Sequence, residues 1–176
     1  MLLQESRGRR AALEHLRKPH SISGSRKSLL PIIDQSFTGI YRWHAKRILR
    51  SIRWVRAAST GSRHSGLAMF TMLAMRVGYV YYIAVSPAHR RAGIGGLLLD
   101  DAVAALRAAG AAQALACVRA DNTPSIRLLQ SRHFARTDFG ELVRSKGLGR
   151  AAVIWIRMFV APGEGVYVNA IGERGD

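Results

Sequence analysis

The stretch "SPAHRRAGIGGLLLDDAVAAL", Ser86 to Leu106, sets two arginines and three glycines between segments of different periodicity. Before it runs "VGYVYYIAVSP", Val77 to Pro87, rich in β-branched and aromatic residues and closed by a proline. That composition predicts a central strand. After it, Leu99, Ala102, Val103 and Leu106 recur at helical spacing, and Gly110 falls where a helix C-cap glycine belongs. A loop that leaves a strand and opens a helix presents unpaired backbone N–H groups and the positive end of the helix dipole. Glycines let a phosphate approach that backbone, and arginines add charge-assisted hydrogen bonds. A pyrophosphate is the natural guest. The plainer alternative is a tight turn with solvated arginines.

Known phosphate loops narrow the choice. A P-loop needs Gly-Lys-Ser/Thr, which is absent here. The dinucleotide fingerprint needs a third glycine where Leu98 stands. Asp121 could pose as a ribose carboxylate, but the strands ahead of the loop read as a meander, which suits that fold poorly.

Working outward, "LLPIIDQSFTG" reads as a short helix stopped near Gly39. In the next helix, Ile40, Trp43, Ile48 and Ile52 are expected near one face. A strand-like "WVRAAS", a turn at "TGSRHSG" and "LAMFTML" give a hairpin signal. Beyond Gly110, "QALACVRA" reads as a buried strand. Thr123 is the expected N-cap of a helix with Pro124 at its first position. "TDFGELVRSKGLGR" reads as turn-rich and "AAVIWIRMFV" as a strand, and the tail after Pro162 is expected to be peripheral. A short helix is placed at Ala11–Leu16. The order indicates an α/β (α+β) domain with a mixed, mostly antiparallel sheet. Residues 1–20 read as a basic, flexible extension, 21–162 as the domain and 163–176 as a tail.

The chain has 176 residues, 27 Lys and Arg against 11 Asp and Glu, and a formal charge of +16. Such charge suits either an arginine-rich composition or a polyanionic partner, and says nothing of fold. The single cysteine, Cys117, excludes an internal disulfide and suits a reducing compartment, so a cytoplasmic protein is expected. The N-terminus lacks the apolar core of a secretory signal, and no window approaches the ~18 apolar residues of a membrane span. No metal and no membrane partner are expected.

"RRAGIG" fits the pattern Arg/Gln-x-x-Gly-x-Gly/Ala through Arg90, Gly93 and Gly95. With the lead-in "YYIAVSPAHRR" it resembles the acyl-CoA-binding motif of the GNAT superfamily of N-acetyltransferases. "DNTPSIRLLQSRHF" resembles that family's Asn-x-x-Ala-x-x-Leu-Tyr-x-x-x-Gly-Phe segment through Asn122, Ser125, Leu128 and Phe134. The resemblance covers roughly Ser21 to Pro162 and puts the family's first strand near "HSIS". It implies acetyl-CoA as donor, a small-molecule or protein amine as acceptor, and direct attack. The backbone of Ile83, Ala84 and Val85 would pair with the pantetheine arm. Arg90, Arg91, Ala92, Gly93, Ile94, Gly95 and Gly96 would hold the pyrophosphate. Val85 N–H would face the thioester oxyanion, and Asn122 would meet the cofactor arm or an ordered water.

Members that acetylate ribosomal proteins carry a Glu and a Tyr where this chain has Cys117 and Leu129, and His133 replaces the glycine before Phe134. The proton-transfer groups implied by the resemblance are therefore missing. Tyr81 is a candidate on the strand, with Tyr79 sharing its face and Tyr82 opposite. Asp34 and His44 are candidates in the helical segment, and Glu141 and Asp138 could greet a cationic amine. The rival function is a non-catalytic basic module of the same fold that binds RNA or ribosome.

Overall fold

The computed structural model describes residues 16–22, 25–158 and 160–171. In order they form β1 (Leu16–Ser21), a 3-10 turn (Arg26–Leu29), α1 (Leu30–Ser36), α2 (Gly39–Ser51), β2 (Trp54–Thr60), β3 (Arg63–Ala74) and β4 (Val77–Val85). A second 3-10 turn (Pro87–His89) leads to α3 (Ile94–Ala108), β5 (Gln113–Arg119), α4 (Thr123–Gln130), β6 (Ala135–Thr137), α5 (Phe139–Lys146), α6 (Leu148–Met158) and β7 (Glu164–Ala170). The strands make one mixed, mostly antiparallel sheet in the order β1-β2-β3-β4-β5-β7-β6. This is the fold class expected from the sequence.

The chain divides into two compact units, Met1–Met69 with Tyr82–Ala102, and Phe70–Tyr81 with Val103–Asp176. In the first, β1 pairs antiparallel with β2, and its register shifts between Arg17 and His20, around Pro19. A proline cannot donate to the ladder, so an edge strand with an irregularity is where it fits. Leu29, Ile32 and Ile33 join Ala45, Leu49 and Ile52 in the core. The guanidinium of Arg26 closes the end of α2, reaching Leu49 O at 2.7 Å and Ile52 O at 2.6 Å. These are carbonyls that a helix end leaves without partners.

The inward face of α2 is the expected one only in part, since Ile52 is buried and Ile40 and Trp43 are not. Ile40 is 65% and Trp43 57% exposed, whereas Ala45 and Leu49 are buried. The Ala45–Leu49–Ile52 spacing sets the packed stripe, and Arg47 lies over the Trp43 ring at 5.7 Å on the outside.

In the second unit, β4 pairs parallel with β5 over Val77–Val80 and Gln113–Ala116. A Cβ on Gly78 would lie 2.6 Å from Leu106, so this strand and α3 touch through a glycine. β7 pairs antiparallel with both β5 and β6. Val77, Tyr79 and Leu115 of the sheet pack with Leu142, Ala151, Ile154 and Met158 of α5 and α6.

Several local expectations are corrected here. "AAVIWIRMFV" is largely helical: Ala151, Ile154 and Met158 are buried at helical spacing, while Ile156 is 78% exposed. The segment after Pro162 is not peripheral, because β7 lies between β5 and β6. The turn-rich stretch contains α5, capped by the Asp138 carboxylate on Glu141 N–H at 2.8 Å. Asn122, not Thr123, caps α4, and Pro124 lies one position further in. The first strand, Leu16–Ser21, overlaps "HSIS" at His20 and Ser21 and starts earlier, so Leu16 is in a strand. The rest of the helix placed at Ala11–Leu16 lies outside the described residues.

Candidate active site

The end of β4 and the loop after it belong to the first unit. A Cβ on Gly66 of β3 would meet Ala84 O at 3.1 Å, so the Ala84 carbonyl faces β3. Across a trans peptide the N–H opposes the C=O, which sends Val85 N–H to the edge away from β3. On the next peptide, Ser86 N–H donates to Ser65 O at 2.9 Å, so Val85 C=O also points away from β3. Register with β5 ends at Val80, well before Val85. Val85 therefore offers a donor on the free edge of its strand. Ala84 turns its carbonyl and its buried methyl inward.

The loop is built for close approach. Arg91 has φ +63° and Gly93 φ +80°, so left-handed backbone occurs at both. For an arginine that conformation is uncommon and costs about 1 kcal/mol, and such strain clusters at ligand sites. Leu97 N–H donates to Gly93 O at 3.2 Å, the first bond of α3. The N–H groups of Ile94, Gly95 and Gly96 precede any intrahelical acceptor. A Cβ on Gly93 would have no atom within 4 Å, so open space lies beside it. Below the loop, Ile94, Leu98, Leu99 and Ala102 are buried and anchor the helix start. Arg90 Nε–H donates to Val85 O at 3.2 Å, a tie that the motif did not reveal. The diphosphate of an acyl-CoA fits this set of free donors and positive side chains.

His44 and Tyr82 also meet in the first unit, Nδ1 to Oη at 2.7 Å. Tyr82 packs edge-on to Phe37 at 5.0 Å. The sequence offered His44 as a candidate and put Tyr82 on the face opposite Tyr81, and no spacing rule joins two residues so far apart. Asp34 is committed to Lys46 at 2.6 Å.

Tyr81 and Asn122 belong to the second unit. Tyr81 Oη–H donates to Arg157 O at 3.5 Å, and its ring meets Tyr79 edge-on with centroids 4.6 Å apart. Burial raises the Tyr81 pKa, partly offset by the Arg157 charge. Tyr79 is buried, donates to Met158 O at 3.2 Å, and is raised further by burial and Cys117. Burial also pushes the Cys117 thiol up to about 11, so it is a packed neutral thiol at pH 7 and no base. Leu129 is buried, which leaves no acid at that position. Asn122 Oδ1 accepts from Ser125 N–H at 3.2 Å, leaving its amide N–H groups with no acceptor among the described residues. Glu141 bonds Thr137 at 2.7 Å within its own loop, and Asp138 serves as a helix cap.

These features belong to an acyltransferase fold with a glycine- and arginine-bearing loop at the start of α3. The model of the acetyltransferase (GNAT) family matches residues 13–134, and the chain belongs to that family. No curated protein matched the sequence. Among solved structures, a GNAT-family protein from Desulfovibrio desulfuricans superposes with a TM-score of 0.67 at 16% identity, covering 89% of this chain and 99% of its own. A GNAT acetyltransferase from Elizabethkingia anophelis with acetyl-CoA bound gives 0.64 at 14% identity, covering 89% and 99%. The ribosomal-protein-S18-alanine N-acetyltransferase of Escherichia coli gives 0.61 at 16%, covering 90% and 97%. Among the described residues, no helix is long and apolar enough to cross a membrane.

Proposed function

We propose that the protein transfers an acetyl group from acetyl-CoA to a primary amine, carried by a small molecule or a protein, in the cytoplasm. The observation that carries the reading is the outward Val85 N–H, set directly ahead of a left-handed, arginine-bearing loop at the start of α3. In this reading Ile83 and Val85 offer backbone groups to the pantetheine arm, while Ala84 seats the strand. The N–H groups from Arg91 through Ala92, Gly93, Ile94, Gly95 and Gly96, with the Arg90 guanidinium, hold the diphosphate.

Val85 N–H stabilises the oxyanion formed when the amine attacks the thioester carbonyl, a contribution of a few kcal/mol. Holding amine and carbonyl together supplies much of the remaining rate. The nitrogen–carbon bond forms, the carbon–sulfur bond breaks, and the amine proton leaves to water. Thiols ionise near pH ~8.5, so the thiolate departs without a strong acid beside it. This suits a chain in which Cys117 is a neutral thiol and Leu129 carries no acid. Tyr81 keeps its proton at neutral pH and acts as a hydrogen-bond donor.

The test is titration of acetyl-CoA, desulfo-CoA and unrelated polyanions at several salt concentrations, with thiol release across a panel of amines. Saturable binding and amine-dependent release support the reading. Binding that collapses with salt and ignores the acyl-CoA structure contradicts it.

A further inference from the structure

The Val85–Ser86 peptide is held from several directions. Its carbonyl accepts Arg90 Nε–H at 3.2 Å and, more loosely, Ser36 Oγ–H at 3.4 Å. Its N–H donates to Ser65 O at 2.9 Å. Beside it, Ser86 Oγ–H donates to Gln35 Oε1 at 3.2 Å. The end of α1, strand β3 and the glycine loop thus converge on one peptide plane. With Ala84 O facing Gly66 on the preceding peptide, both torsions of Val85 are set. Those torsions aim its N–H.

Arg90 is an exposed member of this clamp. A guanidinium is a rigid plane with five N–H donors. Its Nε–H is committed to Val85, while the Nη groups find no acceptor among the described residues. One rigid group therefore touches the strand end with one edge and offers a bidentate fork with the other. The fork suits a phosphate.

We infer that Arg90 is a positioning residue that couples diphosphate binding to the direction of Val85 N–H. Diphosphate oxygens on the Nη groups fix the guanidinium, and the fixed Nε–H holds the Val85 carbonyl. Binding energy from the non-reacting end of the donor is then spent at the reacting carbonyl. The inference rests on the donor-site reading above. It assigns Arg90 an effect on turnover beyond affinity.

The test uses the full chain and adenosine diphosphate, which carries a diphosphate and no thiol arm. Amide hydrogen exchange at Ser86 is followed in wild type, Arg90→Ala and Arg90→Lys at matched occupancy. Saturation should slow Ser86 exchange about tenfold in wild type and leave both variants unchanged. Lysine keeps the charge but is a point donor without the fork. Equal slowing in Arg90→Ala overturns the inference. Absence of diphosphate binding to wild type in calorimetry overturns the donor-site reading itself. Kinetics give the second arm, comparing acetyl-CoA with acetyl-pantetheine. The kcat ratio of the two donors should exceed unity about tenfold in wild type and fall to near one in Arg90→Ala. A change in KM alone would make Arg90 an ordinary phosphate ligand.

Discussion

Gly93 and His133 both occupy left-handed backbone, at φ +80° and +61°, for different reasons. His133 N–H donates to Gln130 O and Phe134 N–H to Leu129 O, at 3.1 Å each, the paired bonds of a helix closed by a left-handed residue. The family places glycine there because only glycine takes that conformation without a Cβ penalty. His133→Gly should raise stability by about 0.5–1 kcal/mol, read as a higher urea midpoint. At Gly93 the donor-site proposal gives the conformation a binding role. Gly93→Val meets no atom at Cβ, but a β-branched residue at φ +80° is strained by about 1–3 kcal/mol, so melting should fall by that amount while the folded variant loses acetyl-CoA binding in calorimetry. Normal binding by that variant would remove the loop from the site. The missing family tyrosine cannot simply be restored: Leu129 is 5% exposed, and Leu129→Tyr should cost about 1–3 kcal/mol by overpacking.

At the scale of elements, the sheet centre was legible because its strands carry unambiguous signals. "VGYVYYIAV" is β-branched, aromatic and stopped by proline, and α3 shows clean helical spacing after its glycines. The loop residues followed from pattern alone. α6 was misread because Val153, Ile154, Trp155 and Ile156 favour strands by type, and propensity outweighed the Ala151–Ile154–Met158 period that packing obeys. β7 was missed because glycines at 163 and 165 suggest a loose tail, although Val166 and Tyr167 are buried. The Arg90–Val85 tie and the His44–Tyr82 pair are tertiary contacts without a sequence period. The β3–β4 turn was equally silent: Met75 and Arg76 take φ 54° and 62°, the pair of positive values a tight hairpin demands. Met75→Asn should therefore stabilise by roughly 0.5–1 kcal/mol in urea unfolding. Truncation after Pro162 removes the strand between β5 and β6, and the product should show no cooperative melting transition.

Over the whole molecule, Cys117, Tyr79 and Tyr81 of the second unit shape the alkaline limb of stability. Cys117 ionises at about 11 when folded against 9.0 in its ordinary state, and Tyr79 is shifted in the same direction. Above pH 9.0 the unfolded chain therefore binds fewer protons than the folded one, and stability falls as pH rises toward 11. Their contribution is fully present at neutral pH. Urea unfolding should show this decline, and Cys117→Ala should make it shallower, with Tyr79 and Tyr81 supplying what remains. The reaction itself is the more direct test. The measurement is amine-dependent thiol release from acetyl-CoA by wild type and Gly93→Val, each with its calorimetric binding curve. The account predicts saturable binding and release by wild type, and neither by a folded Gly93→Val. Release that persists in Gly93→Val, or a wild type that binds no acetyl-CoA, would contradict it.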